Sequence, residues 1–169
     1  MDVAPQFAEF VRTHSAALLR TAYLLTGDAV AAEELTQDTL ARMAPKWRLV
    51  QEADLPLAYV RRALANAYAD ERRRSRRRPT ESWHAVGDAA VARDFVGQMA
   101  DRDALWASLR QLPPRQRAAI VLRYFDDLAD DDIGHALACR PGTVRSLISR
   151  GLTAMRESSA SEALRERDA

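Results

Sequence analysis

Hydrophobic residues recur along this chain at three- and four-residue intervals, and alternating β-branched runs bounded by turn residues are nearly absent. That periodicity predicts an all-α protein. Phe7, Phe10, Val11, Leu18, Ala22 and Leu25 fall at helical spacings, which places a first helix from about Phe7 to Leu25. It stops at Thr26-Gly27, where a glycine suits a left-handed cap. Asp28 then caps a second helix reaching about Lys46, with Ala32, Leu35, Thr39 and Met43 on its inner face. A loop of about Trp47 to Asp54 follows, and Asp54 with Pro56 in the first turn starts a third helix. On that helix Leu57, Val60, Leu64 and Ala67 share one face.

The pattern then breaks. Residues 79 to 100 lack a firm period and contain Pro79, Gly87 and Gly97, so they read as a flexible linker. Helices are expected again near 101–111, 114–125, 129–138 and 141–156, with Pro113-Pro114 marking one junction and a short polar tail at 158–169. Two small helical domains result, 1–78 and 101–157, with no sheet and no internal repeat.

Composition changes this picture little, but charge placement changes it a good deal. Of 169 residues 47% are hydrophobic and 29% charged, and the formal net charge is only +1. Yet six arginines fill the seven positions 72 to 78, and five aspartates crowd 126 to 132. The longest apolar run, Ala16 to Leu25, is short and broken by Arg20. The N-terminal residues carry acids where a signal peptide has a basic start. The single Cys139 cannot form an internal disulfide. A cytoplasmic protein without membrane insertion is expected.

The third helix sets Tyr59, Arg62, Asn66, Asp70 and Arg73 opposite its apolar face. An aromatic, an amide and guanidinium groups together can grip single-stranded nucleic acid, through stacking and phosphate attraction. The plainer alternative is a solvated helix with a basic end. The segment DLADDDIGHALACRPGTVRSLISRGLTAM has the form of a helix-turn-helix. Ile133 and Leu137 seat its first helix, a tight turn spans Ala138 to Arg140, and Pro141 begins the second. There Val144, Ile148, Gly151, Leu152 and Met155 turn inward, and Thr143, Ser146, Ser149, Arg150 and Thr153 turn outward, with Arg145 and Arg156 at the margins. Hydroxyls and arginines so arranged can enter a major groove. An ordinary helical hairpin is the alternative.

Three motifs carry a resemblance. LLRTAYLLTGDAVAAEELTQDTLARM, PLAYVRRALANAYADERRRSRRR and LRQLPPRQRAAIVLRYFDDLADDDIGHALACRPGTVRSLISRGLTAMR, in that order, resemble the bacterial sigma-70 superfamily of RNA polymerase sigma factors. The likeness lies in the extracytoplasmic-function group, closest to the actinobacterial sigma-E-like set, and covers nearly all of residues 6 to 157. It implies a protein that binds core RNA polymerase at the β′ clamp coiled coil and the β flap. It also implies promoter-specific initiation, with residues 1–78 as region 2 and 101–157 as region 4.

By the same resemblance Glu33, Glu34, Gln37, Asp38 and Ala41 form the polymerase-binding surface. Tyr59, Arg62, Asn66, Arg72, Arg73, Arg74 and Arg76 meet the melted −10 strand, and the Trp47–Asp54 loop helps pocket an extruded base. Arg140, Thr143, Arg145, Ser146, Ser149 and Arg150 read the −35 duplex. Many relatives also pair with an anti-sigma factor. The chain departs from the family at Leu40, where phenylalanine is frequent, at Tyr59, where tryptophan is, and at Arg140-Pro141, where a serine or threonine cap is common.

Other functions fit less well. His14, His84 and His135 show no spacing for a metal site, and only His135 and Cys139 pair at i and i+4. No phosphate loop or nucleophile motif is present, so neither catalysis, a metal nor a cofactor is expected. A stand-alone helix-turn-helix regulator accounts for 101–156 but leaves 28–78 unused. A helical adaptor predicts no DNA retention at all.

Overall fold

The computed structural model describes residues 3–77 and 103–167. The described residues are helical, with no strand among them, and they fall into two compact units divided within the 79–100 segment. That segment, read from sequence as a linker, lies outside the described residues.

The first unit holds α1 (Val3–Thr26), α2 (Ala29–Met43), a 3-10 turn (Ala44–Lys46), α3 (Trp47–Gln51) and α4 (Pro56–Arg77). The punctuation between α1 and α2 follows from local chemistry. Gly27 sits at φ 76°, where a side chain would be strained, and its N–H donates to the Tyr23 carbonyl at 2.8 Å. Asp28 is extended, and its Oδ1 accepts the Ala31 N–H at 2.8 Å.

Leu18, Leu24 and Leu25 of α1, Leu35 of α2, Val50 of α3, and Val60 and Leu64 of α4 form the buried centre. Each such side chain contributes roughly 1.5–3 kcal/mol on leaving water. The expected inner face of α2 is buried throughout: Ala32, Leu35, Thr39 and Met43. Thr36 and Thr39 are also buried, and their hydroxyls donate to the carbonyls of Ala32 and Leu35 at 2.8 and 2.7 Å, so neither costs an unmade bond.

Packing within this first unit departs from the sequence expectation at two places. The Trp47–Asp54 segment is not a loop throughout, because its first part is α3, with Trp47 and Val50 buried. Trp47 packs on the rings of Phe7 and Phe10, with centroids 5.2 and 4.7 Å away. Burying an indole that large fixes the backbone around it. The inner face of α4 is also rotated from the wheel: Val60 and Leu64 are buried, but Leu57 and Ala67 are only half-buried. Ala65, Tyr68 and Ala69 are buried instead, because α4 is seated by both α1 and α2.

The second unit holds α5 (Asp103–Gln111), α6 (Pro114–Tyr124), α7 (Asp130–Ala136) and α8 (Pro141–Arg167). Pro113 ends one helix and its carbonyl starts the next, accepting the N–H groups of Gln116 and Arg117 at 3.0 Å. Leu109, Leu122, Ile133 and Val144 are fully buried at the centre. Helix α8 lies so close to α6 that a Cβ on Gly151 would stand 2.6 Å from Ile120 Cδ1. Sequence periodicity ends this helix at 156 and leaves a tail, but the helix runs on to Arg167. The extension is rich in good helix formers, alanine, glutamate, leucine and arginine. Ser158 also ties it back, donating to Gln111 Oε1 at 2.7 Å.

Candidate nucleic-acid and partner surfaces

Burial of one face of α2 leaves the other as an acidic stripe. Gln37, Asp38 and Ala41 are exposed, and Glu33 and Glu34 are half-buried. The Glu34 carboxyl is held above its usual range, first by partial desolvation and then by the charges of Asp38, Asp28 and Glu71. Asp38 meets Arg42 one turn on at 4.0 Å, a loose and exposed contact. An acidic stripe of this kind suits a basic partner.

On α4 the exposed face combines Tyr59 and Asn66, both half-buried, with exposed Arg62, Arg72, Arg73 and Arg74. Arg73 pairs with Asp70, and Arg74 meets Glu71 at 3.5 Å. These i, i+3 pairs are solvent-exposed and contribute little to stability, so a phosphate can displace the carboxylates. Arg76 lies on the last turn of α4, and Arg78 lies outside the described residues. Tyr68, the second tyrosine of this helix, is buried and takes no part in the exposed face. In the preceding segment Leu49 and Leu55 are exposed, at 59% and 70%. Neither position is marked in the sequence, since an isolated leucine gives no local signal of which side of a chain it faces.

The helix-turn-helix is built from α7 and α8. Helix α7 ends at Ala136, Ala138 takes φ 50°, and the Cys139 N–H donates to the Gly134 carbonyl at 2.9 Å. The turn is tight enough that a Cβ on Gly134 would lie 2.7 Å from the Cys139 carbonyl oxygen. Arg140 stands at the N-cap of α8 and Pro141 in its first turn, with the Arg140 carbonyl accepting the N–H groups of Thr143 and Val144. Arg115 fixes the turn from α6, donating to the Leu137 carbonyl at 3.0 Å.

Every candidate on this helix is exposed: Arg140, Thr143, Arg145, Ser146, Ser149 and Arg150. Val144 and Gly151 are buried beneath them, and Ile148, Leu152 and Met155 are half-buried. Beside this face lies a cleft of about 430 Å³ lined by Arg123, Asp130, Arg145, Ser149, Thr153 and Arg156, among others. In the sequence Asp130 is one of five neighbouring aspartates; in the structure its carboxylate holds both Arg123 and Arg145. Only the packing of α6, α7 and α8 brings those three together. His135 and Cys139 acquire no third ligand, and no cluster able to hold a metal ion occurs among the described residues.

The two units match known families separately. Residues 10–78 match the model of sigma-70 region 2, and residues 102–155 that of sigma-70 region 4. The RNA polymerase sigma-E factor of Streptomyces coelicolor is 35% identical over 154 residues, covering 90% of this chain and 85% of that protein. The extracytoplasmic-function sigma factor SigE of Mycolicibacterium smegmatis is 34% identical, over 90% of this chain and 61% of its own length. Among solved structures, the sigma factor RpoE of Bartonella quintana, in complex with the anti-sigma factor NepR, matches with a TM-score of 0.63 at 23% identity. That match covers 90% of this chain and 95% of RpoE, and it bears on the fold. Two region matches in order, on two separately folded units, and identity above one third with a sigma-E factor show that the chain belongs to the sigma-70 family, in its extracytoplasmic-function group.

Proposed function

We propose that this chain binds core RNA polymerase and directs it to specific promoters, its first unit capturing the melted −10 strand and its second reading the −35 duplex. The observation that carries this reading is the pairing of a region 2 match and a region 4 match with exposed helix faces suited to those tasks. The chain acts as an initiation factor and performs no catalysis of its own. It works in the cytoplasm, where polymerase and promoter meet. No described helix is long and apolar enough to cross a membrane.

The division of labour follows the chemistry. The acidic stripe Glu33, Glu34, Gln37, Asp38 and Ala41 on α2 docks on a basic surface of the polymerase, the β′ clamp coiled coil. The second unit seats on the β flap. Tyr59, Arg62 and Asn66, with Arg72, Arg73, Arg74 and Arg76, hold the single strand, and the α3 segment with Leu49 and Leu55 borders the extruded base. Unstacking that base costs a few kcal/mol, offset by its capture on the protein.

Arg140, Thr143, Arg145, Ser146, Ser149 and Arg150 face the −35 major groove, where arginine meets guanine edges and the hydroxyls reach bases or phosphates. An anti-sigma factor that covers these faces is a natural regulator; the Bartonella protein is found in complex with the anti-sigma factor NepR. A stand-alone regulator would give the α2 stripe and the α4 face nothing to do. Run-off transcription with cognate core polymerase tests the proposal. Initiation from one defined start site supports it, and tight duplex binding with no effect on start-site choice overturns it.

A further inference from the structure

We infer that Asp130 is a positioning residue for promoter reading: its carboxylate fixes the direction in which Arg145 presents its guanidinium from α8. This deepens the reading of α8 as the −35 helix and rests on it. Asp130 opens α7, and each of its two oxygens serves a different arginine. Oδ1 accepts from Arg123 of α6, and Oδ2 accepts from Nη1 of Arg145 at 3.2 Å. The carboxylate thus joins three helices at the edge of the cleft. Arg123 and Asp130 are largely shielded, with side chains 30% and 23% exposed, whereas Arg145 is 69% exposed.

The pair has one anchored end and one presented end. An ion pair so open adds little to stability, so its effect is on orientation. Arginine carries five N–H donors in a planar fork. Engaging Nη1 with Asp130 leaves the remaining donors free and removes much of the side chain's rotamer freedom. A guanidinium held in one plane can meet a base edge with parallel bonds, whereas a freely rotating one spends its charge on whichever phosphate is near. Arg123 also offsets the Asp130 charge, so the carboxylate does not simply repel DNA. Two cations and one anion leave this corner net positive.

The test uses the full chain with core polymerase on a library of promoters randomised across the −35 element. Arg145→Ala is measured first, because it defines which base positions depend on that arginine. Asp130→Asn is then expected to relax preference at those same positions by about three- to tenfold, part of what a bidentate arginine contact supplies. It should leave preference elsewhere in the promoter unchanged and add nothing in the Arg145→Ala background. Asp130→Ser, a smaller neutral replacement, carries the same expectation, so the outcome does not hinge on one variant folding. The salt slope of promoter binding should steepen in either variant, as the released guanidinium turns to phosphate. If Arg145→Ala shifts preference while both Asp130 variants read promoters as wild type does, or lower initiation evenly on all of them, the positioning role is overturned. If Arg145→Ala itself leaves preference unchanged, the assignment of Arg145 to base reading falls, and the inference with it.

Discussion

At position 34 a carboxylate sits partly out of water among Asp28, Asp38 and Glu71, and its pKa is raised by burial first and by those charges next. A carboxyl whose pKa is higher in the folded chain than in the unfolded one binds protons more readily when folded. Its ionised form therefore costs stability above that pKa, and the cost is relieved as pH falls through it. Docking on a basic surface relieves it too. Glu34→Gln is accordingly expected to raise the melting temperature slightly at neutral pH, with the gain shrinking in acid, and to weaken binding to core polymerase. Melting curves at two pH values and a core-binding titration check both halves; unchanged affinity would place the interface elsewhere. Tyr68 poses a different residue-level question. It is only 6% exposed, and its hydroxyl is buried with no hydrogen-bond partner among the described residues. Tyr68→Phe removes a desolvated polar atom while keeping the ring, so it should be neutral or stabilising by up to about 1 kcal/mol. A clear loss in denaturant titration would show that the hydroxyl is satisfied in solution.

Among the elements, α3 and the α7–α8 turn give the sharpest contrasts. Trp47 and Leu49 are two residues apart, yet one is 3% exposed and the other 59%. Trp47→Ala empties the space against Phe7 and Phe10 and should cost about 3–5 kcal/mol. Leu49→Ala should stay within about 0.5 kcal/mol of wild type. Equal destabilisation of the two, measured by denaturant titration, would mean that α3 is seated differently. Gly134→Ala pushes a methyl group toward the Cys139 carbonyl, which is backbone and cannot swing aside. The expected cost is about 1–3 kcal/mol, and duplex reading should fall with stability; an unaltered melting curve would show that the turn can open. These elements also mark what could be read in advance. The caps at Gly27 and Asp28, the helix start at Pro141 and the inner face of α2 were legible because each depends on neighbours a few residues away. The helical state of α3 was not, since it rests on Phe7 and Phe10 some forty residues earlier. The rotation of α4 and the pairing of Asp130 with Arg145 likewise exist only once helices pack.

For the whole molecule, the six arginines from 72 to 78 are the last feature of the first unit before the 79–100 segment, and the helix-turn-helix lies beyond it. Each surface taken singly is largely polar, and phosphate contacts made through such a surface are salt-sensitive. Joining two such surfaces makes the second encounter intramolecular, at an effective concentration set by the length and stiffness of the connection. Promoter selection should therefore depend on covalent continuity even when both units remain present and folded. A protease site inserted between residues 79 and 100 and cut before assembly tests this. The cut protein is expected to initiate from −35-dependent promoters at least about tenfold less well at nanomolar concentration, with activity recovering as its concentration rises toward the effective value. The uncut protein carrying the same insertion should behave as wild type, which separates loss of continuity from damage by the insertion. Should the cut and uncut proteins initiate equally well at nanomolar concentration, each unit must bind polymerase tightly by itself, and the connection would then contribute no affinity.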